Sequence, residues 1–235
     1  MYSITPKGEQ IRKMFGAIAP RYDFLNRLLS LGIDRRWRRI AVGLISCGAG
    51  GRVLDVATGT GDVALTIAAH TPADVRITGI DFCAEMIDIG RTKVAASPHA
   101  GRIELAVAPC EEIPFPDATF DAVTIAFGIR NVVDRPRGLA EMSRVLKSGG
   151  NAVILEFSTP VSPLFKALYH WYFLKVLPAI GGLFSQKSAY QYLPDSVLEF
   201  PSREAFKGMM RQAGFKNTTH RDLTFGIATL YCGDK

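Results

Sequence analysis

The chain has 235 residues, 48% of them hydrophobic, and a formal net charge of +6. That length and apolar content supply the core of one large domain, or one domain with a cap, and exclude large-scale disorder. Cys47, Cys83, Cys110 and Cys232 are scattered with no C-x-x-C pair and no His at ligand spacing, so neither a metal site nor a disulfide framework is expected and a reducing compartment is.

Met1 to Gln10 lacks the apolar core of a signal peptide, which predicts a cytoplasmic location. From Gln10 to Leu44 apolar residues recur at helical spacing around a polar break, Leu31-Gly32-Ile33-Asp34, and predict two or three helices, a cap over residues 1–50. This end is basic: Arg12, Lys13, Arg21, Arg27, Arg35, Arg36, Arg38, Arg39 and Arg52 stand against Glu9, Asp23 and Asp34. Such a stretch suits an anionic partner, nucleic acid or a phospholipid surface, although charge runs more often form a solvated helical face.

The next stretch, Val53-Leu54-Asp55-Val56-Ala57-Thr58-Gly59-Thr60-Gly61-Asp62-Val63-Ala64, is the most informative of the chain. Its apolar start reads as a buried strand, Gly59 and Gly61 permit close backbone approach, and Asp62 begins a helix. Gly59, Gly61 and Ala64 also fit the dinucleotide pattern, so the glycines do not separate an NAD-dependent oxidoreductase from other users of an adenine nucleoside. Asp55 does. A pyrophosphate seated on a helix N-terminus would be repelled by a carboxylate ending the preceding strand, whereas a ligand with an ammonium group would be attracted. S-adenosylmethionine has an adenosine half, no phosphate and a cationic amino-acid tail, and is the better match. A second strand from Ile77 ends at Asp81, 26 residues after Asp55, where ribose hydroxyls need an acceptor.

Strands are predicted at Val53–Ala57, Val75–Ile80, Ile103–Val107, Ala122–Ala126 and Ala152–Phe157, within a cofactor-binding core over residues 51–160. A helix is predicted at Gly138–Leu146, terminated by Gly149-Gly150. Alternating strands and helices give an α/β class with a parallel sheet. Val161 to Phe184 breaks the rhythm with Phe165, Tyr169, Trp171, Tyr172, Phe173 and Phe184. Lys166, His170, Lys175, Pro178 and Gly181-Gly182 make a membrane span costly, which leaves a lid, an interfacial helix or core packing for residues 161–200. Residues 201–235 read as a helix at Ser202–Ala213 and a β pair at Phe215–His220 and Ile227–Cys232.

Four segments make the chain resemble the UbiE/MenG family of quinone-biosynthesis C-methyltransferases, from about Phe15 to Lys235: Tyr22-Asp23-Phe24-Leu25-Asn26 through Ser30, Asp34 and Trp37; the glycine loop; Phe127-Gly128-Ile129-Arg130-Asn131-Val132; and Arg144-Val145-Leu146-Lys147-Ser148-Gly149-Gly150 running to Glu156-Phe157-Ser158. The resemblance implies a single class I methyltransferase domain, Rossmann-like, with a seven-stranded, mostly parallel sheet and helices on both faces. It also implies methylation of a ring carbon of a polyprenylated hydroquinone such as demethylmenaquinol, or alternatively of a benzoquinol in the ubiquinone pathway. Carried over by position, Asp55, Gly59, Thr60 and Gly61 would cradle the methionine half, Asp81 the ribose and Met86 the adenine face. The chain departs from the pattern at Ala57, where many methyltransferases have their first glycine, and at Pro109, where relatives commonly have Asp or Asn, so the amide of Cys110 would have to meet the adenine. Leu25 replaces the usual Met and Ser148 the usual Pro.

A sulfonium is already a strong methyl donor, so positioning and water exclusion should dominate. The hydroquinone reacts best as its phenolate, although a phenol titrates near pH ~10. Arg130, just beyond the fourth strand, is the candidate cationic donor to the developing oxyanion. Tyr22, Asp23, Asn26, Asp34 and Asn131 are candidates for binding ring oxygens or relaying the proton, or else for capping and packing. A polyprenyl tail would bring the protein to the inner face of the membrane as a peripheral partner, with the basic end and the aromatic segment as its docking surface. No nucleic-acid partner is expected, since the fourth strand ends without the Asn-Pro-Pro-aromatic motif of base amino-methylation. Self-association as a homodimer is left open.

Overall fold

The computed structural model describes residues 5–30, 32–162 and 187–235. Residues 163–184 of the aromatic stretch, expected as a lid, an interfacial helix or core packing, therefore lie outside the described residues. Three helices precede the sheet: α1 (Pro6–Ile18), α2 (Tyr22–Leu29), reached through a 3-10 turn, and α3 (Asp34–Val42). The first begins earlier than its apolar periodicity suggested, because Thr5 caps it by accepting from the amide of Gly8 and Pro6 fits the first turn.

The core alternates β1 (Arg52–Val56), α4 (Asp62–His70), β2 (Arg76–Asp81), α5 (Ala84–Ala95), β3 (Ile103–Val107), β4 (Phe120–Ala126), α6 (Arg135–Val145) and β5 (Leu146–Phe157). After α7 (Lys187–Leu198) and α8 (Arg203–Gln212) the chain ends in β6 (Lys216–Leu223) and β7 (Ala228–Asp234). The seven strands form one sheet in the order β3-β2-β1-β4-β5-β7-β6. β1 to β5 run parallel and β7 returns antiparallel beside β5, in agreement with the expected seven-stranded, mostly parallel sheet. Val53, Leu54, Val56, Ile77, Ile80, Val123, Ile125, Val153 and Ile154 are at most 1% exposed, the signature of strands covered on both faces. The strand order reverses between β1 and β4, and there the carboxyl ends of the strands part to leave a crevice.

Gly149-Gly150 does not end a helix. Asp134 caps α6 by accepting from the amide of Arg137, the helix stops at Val145, and β5 begins at once. Gly149 has φ of +81°, and a Cβ on Gly150 would lie 2.5 Å from the carbonyl oxygen of Asp121. The pair is thus a kink that lets the start of β5 cross close to β4, where the register shifts between Phe120 and Ala122.

Candidate active site

A cleft of about 770 Å³, its open mouth included, lies at the carboxyl ends of β1, β2 and β4. Gly8, Phe15 and Tyr22 of the cap cover it, so the helices before the sheet close over the glycine loop. Ala57 and Gly59 form its floor, and Asp81, Phe82 and Met86 one wall; Pro109, Cys110 and Glu111 lie on another side, and Phe127, Gly128 and Asn131 follow β4.

The glycine loop is built as its sequence suggests. Gly59 and Gly61 have φ of +56° and +81°, and Gly61 caps α4. A side chain on Gly59 would meet no protein atom within 4 Å. Ala57 also stands at a positive φ, +51°, a conformation that disfavours a side chain. Behind this loop Asp55 is 1% exposed; its Oδ2 accepts from the hydroxyl of Thr58 at 2.6 Å, whereas its Oδ1 has no partner. Burial pushes the Asp55 carboxyl up to about 7, although the Thr58 hydroxyl opposes the shift. Asp55 does not line the cleft: it stands behind the glycine loop, next to the amide of Ala64, and its carboxyl favours an ammonium group over a phosphate at this loop by charge rather than by an open contact. Asp62, in the first turn of α4, already places a carboxylate at that helix N-terminus, which disfavours a phosphate there.

Asp81 accepts from the amides of Gly59 and Cys83, each at 2.9 Å, and burial raises its carboxyl to about 6. It therefore fixes the loop and still presents lone pairs to the cleft. Met86 is 2% exposed and lines the cleft, as do Pro109 and Cys110. Thr60 and Gly61 do not line the cleft. The Thr60 hydroxyl donates to Asp23 at 2.6 Å, and Gly61 packs against Leu105 and Gly90.

Asp23 also accepts from Lys93 at 2.7 Å, Lys93 pairs with Asp62, and Asp62 accepts from Arg38 at 2.6 Å. Arg38 pairs in turn with Asp34, which accepts from Ser30 at 2.7 Å. Although burial opposes it, Arg38 and Lys93 hold the Asp62 carboxyl below its ordinary value. Asp23 and Asp34 are thereby placed in a chain of charges joining the cap to α4 and α5, and neither lines the cleft. Part of the basic N-terminal end is used in this internal pairing.

Beyond β4, Arg130 is 7% exposed and does not line the cleft. Its guanidinium pairs with Glu156 at 2.7 Å, donates to the carbonyl of Phe127 and lies 5.3 Å from the ring centre of Phe157. Its Nε–H has no partner. Tyr22 reaches the cleft, and burial raises its phenol above the ordinary value, opposed by Asn26 and Arg130, so it is a neutral donor at physiological pH. Asn131 lines the cleft and accepts from the hydroxyl of Tyr192 on α7 at 2.9 Å. Tyr22 and Asn131 thus line one cleft, while Arg130 is buried beside Asn131 in the turn without lining it and Asp34 stands apart.

Glu156, Glu111 and Tyr192 were missed as site residues. Glu156 is fully buried at the end of an apolar run, and a carboxylate in that setting was the signal available. Glu111 accepts from the amide of Val133 at 3.1 Å and holds the loop after Asn131. Tyr192 carried no local signal, because only the fold brings α7 to the turn after β4. No group of three or more His, Cys, Asp or Glu placed to hold a metal ion occurs among the described residues.

The model of the ubiE/COQ5 methyltransferase family matches residues 4–235. The ubiquinone/menaquinone biosynthesis C-methyltransferase UbiE of Citrifermentans bemidjiense is 72% identical over 235 residues, covering 100% of both chains. The demethylmenaquinone methyltransferase of Deinococcus radiodurans is 52% identical, covering 97% of this chain and 94% of its own. Among solved structures, a SAM-dependent methyltransferase from Aquifex aeolicus shares the fold with a TM-score of 0.57 at 19% identity, covering 80% of this chain and 84% of that one.

Proposed function

Because the chain belongs to the ubiE/COQ5 methyltransferase family, we propose that it transfers the methyl group of S-adenosylmethionine to a ring carbon of a polyprenylated hydroquinone, with demethylmenaquinol as the acceptor. The observation that carries the reading is the cleft at the carboxyl ends of β1, β2 and β4, with the glycine loop as its floor, Asp81 open to it and the buried carboxyl of Asp55 directly behind the loop. The name of the Deinococcus radiodurans relative supports a naphthoquinol; that of the Citrifermentans bemidjiense relative spans both quinone pathways, which keeps a benzoquinol as the second reading.

When bound, the cosubstrate supplies an electrophilic methyl group. Asp55 and Gly59 would hold its amino-acid end, Asp81 its ribose and Met86 its adenine, with Pro109 and Cys110 completing the adenine side. The remaining work belongs to the chain's own groups. Phe15, Phe127, Val132 and Val133 line the cleft with apolar surface and exclude water from the reacting carbon. Tyr22 and Asn131 offer neutral donors to the ring oxygens. The Nε–H of Arg130 is unspent, and its fixed positive charge would favour the phenolate, tempered by the balancing charge of Glu156.

A polyprenyl tail costs about 0.8 kcal/mol per carbon to expose to water, so such an acceptor stays in the bilayer. No helix among the described residues is long and apolar enough to cross a membrane. Arg35, Arg36 and Arg39 are exposed on α3, and Phe24 and Phe225 are 56% and 65% exposed. The cap, together with the turn between β6 and β7 that Trp37 of α3 holds through Thr224, would dock peripherally on anionic lipid. Anaerobic assay of the purified protein with labelled S-adenosylmethionine, and reduced demethylmenaquinone or its benzoquinol counterpart in anionic liposomes, tests the whole reading. Label is expected in the naphthoquinol and protein in the floated fraction. Label in neither quinol would sink the acceptor assignment, and protein remaining at the bottom of the gradient would remove the docking.

The raised carboxyls make a second expectation. Asp55 and Asp81 are both lifted above their unfolded values, so what they contribute to the unliganded fold is present at low pH and lost as pH rises through about 6 to 7. A cationic ligand has the opposite preference, because it binds the ionised carboxylate. Affinity for S-adenosylmethionine should rise on the order of tenfold between about pH 5.5 and pH 7. Asp55→Asn should bind more weakly and leave a shallower dependence centred on Asp81. Titration calorimetry showing the same slope in both proteins would remove Asp55 from the site.

A further inference from the structure

Asn131 ends the short turn after β4, its amide donating to the carbonyl of Gly128 at 3.0 Å, so its backbone is fixed at the cleft wall. Its carboxamide is not fixed by that bond. One end accepts and the other donates, and the two ends have opposite effects on an oxygen acquiring negative charge. Tyr192 decides between them. Its hydroxyl donates to Asn131 Oδ1 at 2.9 Å from a different element, α7. Burial raises the Tyr192 phenol above its ordinary value, although Arg130 and Arg135 oppose the shift, so the hydroxyl keeps its proton and donates it to the carboxamide oxygen. With Oδ1 engaged, the end left for a ligand is the Nδ2 donor pair.

We propose that Tyr192 is a positioning residue for the acceptor: it holds the Asn131 carboxamide with Nδ2 available to the ring oxygen that develops negative charge, and rests on the quinol reaction proposed above. The Oδ1 contact carries no methyl chemistry of its own. Without the Tyr192 hydroxyl the amide turns freely, and in half its orientations lone pairs face the oxyanion.

A double-mutant cycle with Tyr192→Phe and Asn131→Ala, read by initial rates against the quinol and by calorimetric binding of S-adenosylmethionine, tests this. Tyr192→Phe keeps the ring and should lower kcat/KM for the quinol about tenfold, the scale of one hydrogen bond, with cosubstrate affinity and melting temperature unchanged. Asn131→Ala should lose at least as much, and the double variant should be no slower than Asn131→Ala alone. Additive losses, or a Tyr192→Phe protein that turns over as wild type beside an impaired Asn131→Ala, overturn the proposal while leaving the acceptor site in place. Wild-type turnover by Asn131→Ala overturns that site and the proposal with it.

Discussion

Glu156→Leu is expected to lower the free energy of unfolding by about 3–5 kcal/mol, the cost of leaving a buried charge without its partner. The side chain of Glu156 is 0% exposed and that of Arg130 6%, so water cannot take over the lost contact. Glu156 also accepts from the backbone amides of Arg130 at 3.1 Å and Phe157 at 2.8 Å, and leucine leaves both unsatisfied. The pair thus ties the end of β5 to the turn that carries Asn131. Urea unfolding should show a lower midpoint with an unchanged slope. A loss below about 1 kcal/mol would mean that the pair is not the buried, charged contact described here. The same logic governs the test of Arg130. Arg130→Ala strands Glu156, so its turnover falls for two reasons at once. Arg130→Met with Glu156→Leu removes both charges and should recover most of the loss of Glu156→Leu, keeping only the cost of the two unsatisfied amides. That double variant should fold and bind S-adenosylmethionine yet methylate slowly; wild-type turnover would take Arg130 out of the chemistry.

Gly128→Ala should be the most damaging change on the cleft wall that adds only a methyl group. The new Cβ would lie 2.5 Å from the Cβ of Ala57 and 3.2 Å from Cγ1 of Ile125. Gly128 itself has φ of −113°, open to any residue, so the objection is steric alone. Both atoms of the clash sit on short, rigid segments following β1 and β4, and relief requires backbone movement at the cofactor loop. Overpacking of this kind costs about 1–3 kcal/mol, and here it also displaces the floor of the cleft. Ala57→Gly in the same chain removes the opposing methyl and relaxes a residue at φ of +51°. The double variant should therefore recover melting temperature and cosubstrate affinity. An unimpaired Gly128→Ala, or a double variant no better than the single one, would refute the pairing of these positions. The departure at Ala57 is accommodated because position 128 is glycine.

Much of the architecture was legible because its causes are local. Apolar runs placed the first four parallel strands to within two residues and the end of the fifth, since strands of a covered sheet read as short, largely apolar runs. Asp55 before Gly59 and Gly61 predicted a cationic ligand, because a carboxylate, a left-handed turn and a helix start act on the same few ångströms. The β5 boundary was misread for the same reason: a Gly-Gly pair after a helix is a local stop signal, and only the approach of Asp121 shows why both glycines sit inside a strand.

What the sequence by itself determined, then, is the alternation of elements and the chemistry at the first strand-to-helix turn, where neighbours along the chain are neighbours in space. The tertiary structure alone decided which polar groups remain free to meet ligands. Arg130 finds Glu156 across 26 residues, Thr60 finds Asp23 across 37, and Asn131 finds Tyr192 across 61. A charge or hydroxyl offers a ligand only the valences its distant partners leave unused, and long-range pairing leaves no period or spacing in the chain to read.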